Sequence, residues 1–206
     1  MISTAHRFIF IHAPKTGGNS IQLVLEPFSD DRRTVGAGQD GRQRFGIEGP
    51  ITRRKHAKLA DYGASLGAAL ESFQVIVVAR DPLTRAVSFF YSPHRWAREA
   101  ELGQRPAFQR ARFEQELKRL RSITAMLTID GEVRRPDHIL RFESLAADLA
   151  MLTRTLRLPP TGPLPHVNAS AATRALRDEA LADPWVRGLV TDRYADDYAL
   201  LGYPKP

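Results

Sequence analysis

The sequence predicts one α/β domain, a mostly parallel central sheet with helices on both faces, three layers in all. Three observations carry this. The runs Phe8-Ile9-Phe10-Ile11 and Val75-Ile76-Val77-Val78-Ala79 are short, continuous and apolar, the composition of strands buried on both faces. Each run stops at a Gly- or Pro-bearing turn that opens a segment of helical period, so strands and helices alternate. Finally, 206 residues, 43% of them hydrophobic, suffice for a core-forming domain over 1–206 without covalent staples, and no repeat or linker-like stretch divides the chain.

Element by element, Phe8 to Ile11 ends at Pro14-Lys15-Thr16-Gly17-Gly18. A helix follows, with Ser20 or Asn19 as cap and Ile21, Val24 and Leu25 at helical spacing, until Pro27 stops it. Residues 29–54 are rich in Gly and Arg without periodicity and read as a long irregular excursion, a class of loop that is often functional. Leu59 to Leu70 reads as helix, and Phe73 to Ala79 as a second buried strand ending at Arg80-Asp81-Pro82, where Pro82 suits the first turn of the next helix. In that helix Val87 and Phe90 share a face. Pro106 to Arg121 predicts a charged helix with Phe113, Leu117 and Leu120 on its apolar stripe. Asp137 to Phe142 is the third strand, Glu143 to Leu156 a helix, 159–165 a proline-rich loop, and Ala171 to Leu181 and Trp185 to Leu201 the last two helices.

The chain has no cysteine, which excludes disulfides, thiolate metal sites and cysteine nucleophiles. His6, His94, His138 and His166 show no metal-ligand spacing, so no metal is expected. No apolar run approaches the roughly 18 residues of a membrane span, and the start does not read as a signal peptide, so the expected location is cytoplasmic. The formal charge is +7, and only five of the 30 basic residues are lysines. Arginine suits bidentate recognition of phosphate, sulfate and carboxylate, although most of these side chains read as solvated surface.

The strongest chemical signal is Pro14-Lys15-Thr16-Gly17-Gly18-Asn19-Ser20, a P-loop-like junction between a buried strand and a helix. Gly17 and Gly18 let backbone N–H groups approach an oxyanion, the helix start adds partial positive charge, Lys15 adds a full one, and Thr16 and Ser20 bring hydroxyls. The order is not Walker A, because the lysine precedes the glycines, which disfavours a nucleoside triphosphatase. The second signal lies at the end of the second strand. Arg80 and Ser88, about two helical turns apart, are placed to reach one anion, although an ion pair with Asp81 explains Arg80 as well. Together the two strand ends suit a ligand carrying two separate phosphates.

On these residues the chain resembles the sulfotransferases that use 3′-phosphoadenosine 5′-phosphosulfate (PAPS), in particular their carbohydrate branch of the heparan-sulfate 2-O-sulfotransferase type. His12-Ala13-Pro14-Lys15-Thr16-Gly17-Gly18 is similar to that family's 5′-phosphosulfate loop, and Arg80-Asp81-Pro82 with Arg85 and Ser88 to its 3′-phosphate motif. Arg141-Phe142-Glu143-Ser144-Leu145 with Asp148, and Pro165-His166-Val167-Asn168-Ala169-Ser170, also resemble segments of the branch. Asn19 stands where the family usually has Thr, and Phe90-Tyr91 where a Tyr commonly falls two positions after the serine.

The resemblance implies in-line sulfuryl transfer from PAPS to a hydroxyl, leaving adenosine 3′,5′-bisphosphate (PAP), with Lys15, Thr16, Gly17, Gly18, Asn19 and Ser20 on the phosphosulfate and Arg80 and Ser88 on the 3′-phosphate. It also implies His56 as catalytic base, where the residues alone read as an exposed loop histidine among cations. His12 reads as structural, and Glu143 as support through the helix dipole. Asn168, Ser170 and Arg174 either close over the cofactor or form a loop and helix cap. The acceptor expected is a hydroxyl of an anionic or amphiphilic glycan. Arg53, Arg54, Arg95 and Arg98 flank the proposed site, and Trp96 is either a stacking platform or a core residue. Two other classes stay open: a nucleotide or phosphate-ester kinase, which lacks evident magnesium carboxylates here, and a basic nucleic-acid-binding module, which lacks base-reading motifs. The expectation is therefore of no nucleic-acid partner.

Overall fold

The structure, a computed structural model, describes residues 1–42, 44–92, 108–165 and 174–206. Its first half runs β1 (Ile2–Ser3), β2 (Phe8–Ile11), α1 (Gly18–Leu25), β3 (Arg32–Thr34), β4 (Gly46–Glu48), α2 (Leu59–Leu66), β5 (Gln74–Ala79) and α3 (Pro82–Phe90). The second half continues with α4 (Arg110–Leu117), α5 (Ile123–Leu127), β6 (Thr128–Ile129), β7 (Glu132–Val133), β8 (His138–Arg141), α6 (Leu145–Thr155), α7 (Arg174–Ala182), α8 (Pro184–Arg193) and α9 (Ala195–Leu201). The chain forms two compact units, Met1–Ala79 with Ile123–Ala169, and Arg80–Ser122 with Ser170–Pro206.

The first unit holds a mixed, mostly parallel sheet in the order β1-β2-β5-β8. β2 pairs with β5 in parallel from Phe8↔Gln74 to Ile11↔Val77, β5 with β8 from Ile76↔His138 to Ala79↔Arg141, and β1 lies antiparallel on the edge. The carboxyl ends of β2 and β5 are therefore neighbours. One face of the sheet, Phe8, Phe10, Ile76, Val78 and Leu140, packs against Ile21, Val24 and Leu25 of α1 and Leu145, Leu149 and Leu152 of α6. Each such buried side chain contributes about 1.5–3 kcal/mol, and the four- and three-residue spacings are what align both helices on the sheet. The alternate residues Ile9, Ile11, Val75 and Val77 are equally buried, which is why these strands are apolar without alternation.

Several local expectations need correction. α1 has Gly17 at its N-cap with no side-chain cap, so neither Ser20 nor Asn19 plays that role. The 29–54 segment is not wholly irregular, because β3 and β4 pair antiparallel from Arg32↔Glu48 to Thr34↔Gly46. Charge pairs hold this hairpin: Arg32 to Glu48 at 2.9 Å, and the Arg33 guanidinium to Glu26. A second hairpin, β6–β7, turns at Asp130-Gly131, both in the left-handed region. The α2 helix ends at Leu66 and continues as a 3-10 turn to Ser72. The last predicted helix breaks at Tyr194, whose hydroxyl donates to Leu120 O at 2.9 Å.

In the second unit, Pro82 opens α3 as expected, and Asp81 caps it by accepting from Thr84 N–H at 2.8 Å. Val87 and Phe90 of α3 join Phe113, Leu117, Leu120, Val186 and Val190 in its core. Arg85, which falls within the segment that resembles the 3′-phosphate motif, is a core cation. Its side chain is 1% exposed, Nη1 stands 3.4 Å from Asp197 Oδ2, and Nη2 donates to Arg121 O at 2.8 Å. Burial lowers its pKa and Asp197 opposes that shift. Among the described residues, no helix is long and apolar enough to cross a membrane.

Removing one partner of a buried pair leaves the other charge uncompensated. Asp197→Ala is therefore expected to cost roughly 3–5 kcal/mol in urea unfolding. A loss under about 1 kcal/mol would show that the Arg121 carbonyl alone suffices for Arg85.

Candidate active site

The loop after β2 is built from two left-handed residues, Lys15 at φ 68° and Gly17 at φ 86°. For a lysine that conformation costs about 1–2 kcal/mol, and such strain concentrates at functional sites. Hydrogen bonds hold it: Thr16 Oγ1 donates to Ala13 O at 2.8 Å, Ala13 N to Ile11 O at 3.2 Å, and Ser20 N to Gly17 O at 3.1 Å. Left- and right-handed residues in alternation turn successive N–H groups toward one concavity, a nest that favours an anion. The nest opens onto the N-terminus of α1, whose first turn carries no acidic residue. A Cβ on Gly17 would stand 3.0 Å from Phe142 Cδ2 and 3.2 Å from Leu145 Cδ2, so those side chains wall the loop on that side. Ser20 Oγ donates to Pro165 O at 2.7 Å, and Asn19 is half-buried in the same turn.

Behind the loop lies His12, buried at the tip of β2. A Cβ on Gly18 would stand 2.5 Å from His12 Nε2, so only glycine lets helix and ring share this space. His12 Nδ1 lies 2.8 Å from Gln22 Oε1 on the fully buried Gln22 of α1. The His12 main-chain carbonyl lies 2.9 Å from Nδ1 of His56, and the two imidazole centroids are 4.6 Å apart at 66°. A carbonyl only accepts, so His56 Nδ1 carries the proton, and in the neutral ring the lone pair is on Nε2. Thus the strand tip that starts the anion nest also holds the histidine expected to act as base.

The surrounding charges are settled locally. Arg53 pairs with Glu48 at 3.1 Å and Arg54 with Asp61 at 3.6 Å, both arginines staying exposed. Hydrogen bonding from Arg32, then the charges of Arg32 and Arg53, hold the Glu48 carboxyl below its usual range. Asp61 Oδ2 accepts from Lys58 N–H at 2.8 Å at the start of α2. Lys55 differs from its neighbours. Its Nζ donates to Phe45 O at 2.9 Å and sits 3.6 Å from the Phe45 ring centroid, and burial pushes its pKa down to about 8.

In the second unit, Arg80 is half-buried, with Nε donating to Thr84 Oγ1 at 3.2 Å, and Ser88 is buried on α3. Asn168 and Ser170 lie outside the described residues, as do Arg95, Trp96 and Arg98, and Arg174 is the first residue of α7.

The sulfotransferase family model matches residues 1–204. The chain belongs to the sulfotransferase family. Its family chemistry is the transfer of sulfuryl groups. No curated protein matches the chain, and no solved structure does.

Residue-level reading missed three neighbours in this sulfotransferase's loop region: Gln22, Lys55 with its Phe45 support, and Phe142 as loop wall. A signal existed for Gln22 alone, a polar residue four positions from Gly18 and three from Leu25 on a helix otherwise apolar on that side. Lys55 and Phe142 meet their partners only through the fold.

Burial, then the neighbouring His56 and Lys55, push the His12 pKa well below its ordinary 6.5. The unfolded chain takes up a proton at this residue below pH of about 6.5 and the folded chain does not. Stability should therefore fall on acidification from about pH 6.5, by at most about 1.4 kcal/mol per pH unit from this residue. Urea midpoints at pH 7.0 and 5.5 check this against His12→Gln, which is expected to flatten the slope; equal slopes in both proteins would remove His12 as its source.

Proposed function

We propose that this sulfotransferase moves a sulfuryl group from PAPS to a hydroxyl of an anionic or amphiphilic glycan, as in the family's carbohydrate branch. One observation carries the reading: the tip of β2 presents an anion nest and, through the His12 carbonyl, a histidine with its lone pair on Nε2. The donor set fits PAPS. Gly17 supplies the left-handed turn and Gly18 the close approach to His12 that start the helix at this loop, and the helix start lacks competing carboxylates. When bound, PAPS supplies an activated sulfuryl group whose transfer leaves PAP.

The chain's own groups then do the following. His56 Nε2 accepts the proton of the acceptor hydroxyl, and its Nδ1–H stays on the His12 carbonyl, which stabilises the imidazolium formed. Lys15 and the loop N–H groups oppose the negative charge growing on the leaving phosphate, a preorganised electrostatic contribution of the kind known for phosphoryl transfer. The loop from Lys15 to Ser20 orients the phosphosulfate. Arg80 and Ser88 take the 3′-phosphate, and Asn168, Ser170 and Arg174 close over the cofactor, assignments supported by the family motif. For the acceptor, exposed Arg53 and Arg54 and the half-buried Lys55 place cations on the segment that carries His56. A single domain over 1–206 belongs to the same reading, in keeping with a family match over residues 1–204, and a cytoplasmic location is proposed with it.

PAP at 100 times its dissociation constant is expected to add about 2.7 kcal/mol of apparent stability, seen as a raised melting temperature. His56→Ala should lose turnover by about 10²–10⁴ while binding PAP nearly as the wild type does. In a side-by-side assay with labelled PAPS, anionic oligosaccharides should accept label where small phenols and steroids do not. Absence of any PAP heat or thermal shift removes the cofactor assignment, near-normal turnover of the variant removes the base, and transfer to phenols alone removes the glycan.

A further inference from the structure

We propose that Gln22 and His12 are the positioning pair of the reaction: Gln22 fixes the ring of His12, and His12 holds His56 with its lone pair on Nε2. The inference rests on His56 being the base. It adds two residues that contact neither the cofactor nor the acceptor.

Gln22 is out of place as a packing residue. It is fully buried on α1 beside Ile21, Val24 and Leu25, where an aliphatic side chain would fill the space without a polar group. Its amide is only partly satisfied: Oε1 accepts from His12 Nδ1 at 2.8 Å, while the buried Nε2 has no partner among the described residues. A half-satisfied buried amide weakens a core, so packing alone does not explain it. What it does is choose the tautomer of His12, since Nδ1 must be the donor to Oε1.

His12 is otherwise boxed by its neighbours. Phe10 stacks on it at 6.0 Å and 21°, Gly18 closes one edge, and His56 lies at 4.6 Å. With Gln22 on Nδ1 the ring cannot turn, and the residue's backbone is fixed where its carbonyl meets His56 Nδ1. A neutral Gln22 also leaves His12 uncharged. An uncharged ring at 4.6 Å does not repel the proton that arrives on His56, whereas a second imidazolium there would. One glutamine thereby controls both the direction of the base and the charge beside it. The same ring touches Gly18, so the base and the anion nest keep a fixed spacing within the strand tip.

The test uses the full chain and three variants, with PAPS and the best glycan acceptor found. Gln22→Met keeps the length of the side chain and removes the acceptor. It is expected to lower kcat by about 10–100-fold, with KM for PAPS within about twofold. Its melting temperature should change little, because the orphaned amide is removed while the buried His12 Nδ1–H loses its acceptor. The ¹⁵N spectrum of its imidazoles should show His56 passing from one Nδ1–H tautomer to a mixture. Gln22→Glu restores an oxygen acceptor but, as a carboxylate, favours a protonated His12, so it should return the single His56 tautomer while leaving kcat low. Adding His12→Leu to Gln22→Met should cost little beyond the single change, since both act through one relay. Wild-type turnover and an unchanged His56 tautomer in Gln22→Met overturn the proposal, and so does a loss of kcat that only follows the folded fraction. If His56→Ala is fully active, the base reading fails and the pair with it; if His56→Ala is inactive while Gln22→Met is normal, the pair alone fails.

Discussion

The contact between the His12 ring and Gly18 is the constraint on which the loop region turns. Strand β2 must end with its side chain under the first turn of α1, and the two backbones can come this close only because position 18 has no Cβ. That approach fixes where the helix starts, and so where its N–H groups point. It also forces the intervening residues to reverse sharply, which puts Lys15 and Gly17 in the left-handed region and creates the nest. The strain at Lys15 is a consequence of this reversal, and the Thr16 to Ala13 hydrogen bond offsets part of it.

Rigid surroundings let such a loop persist. β2 and all of β5 but Gln74 are buried and parallel, so their carboxyl ends are held in register by the sheet, and α1 and α6 clamp one face with leucines, Ile21 and Val24. Against this frame the polar groups are few and specific: Gln22, His12 and the carbonyl that takes His56 Nδ1. The second unit shows the opposite use of a buried charge. Arg85, paired to Asp197 and the Arg121 carbonyl, ties α3 to α9 and to the end of the α4 segment and acts in the core.

The parts of the fold legible in the sequence are those whose burial is two-sided or periodic. Phe8 to Ile11, Val75 to Ala79 and the helix stripes had no other reading. The β3–β4 strands were silent because they are three residues long, β3 is polar and largely exposed, and β4 buries Ile47 alone. The β6–β7 hairpin went unread, although Asp130-Gly131 is a dipeptide that suits a tight two-residue turn. In the site, Lys15 and the glycines were visible as a junction between strand and helix. The His12–His56 link joins residues 44 positions apart, and no local pattern could reveal it. The burial of Arg85 was not legible either, because its partners Asp197 and the Arg121 carbonyl lie far along the chain. The acceptor-side reading of Trp96 and Arg95 concerns residues outside those described.

In the proposed function the nest holds the phosphosulfate through its backbone while Lys15 acts on the charge that develops during transfer. Lys15→Gly separates the two, because glycine keeps the left-handed turn while the side chain and its ammonium group are removed. Single-turnover transfer of labelled sulfuryl from PAPS, measured beside calorimetric binding of PAP, is the most direct measurement. The account predicts transfer by the wild type, a variant about 10²–10³-fold slower with PAP affinity changed only a few-fold, and a variant that is more stable by about 1 kcal/mol. Equal transfer rates in the two proteins, or no transfer by the wild type to any hydroxyl acceptor, would contradict it.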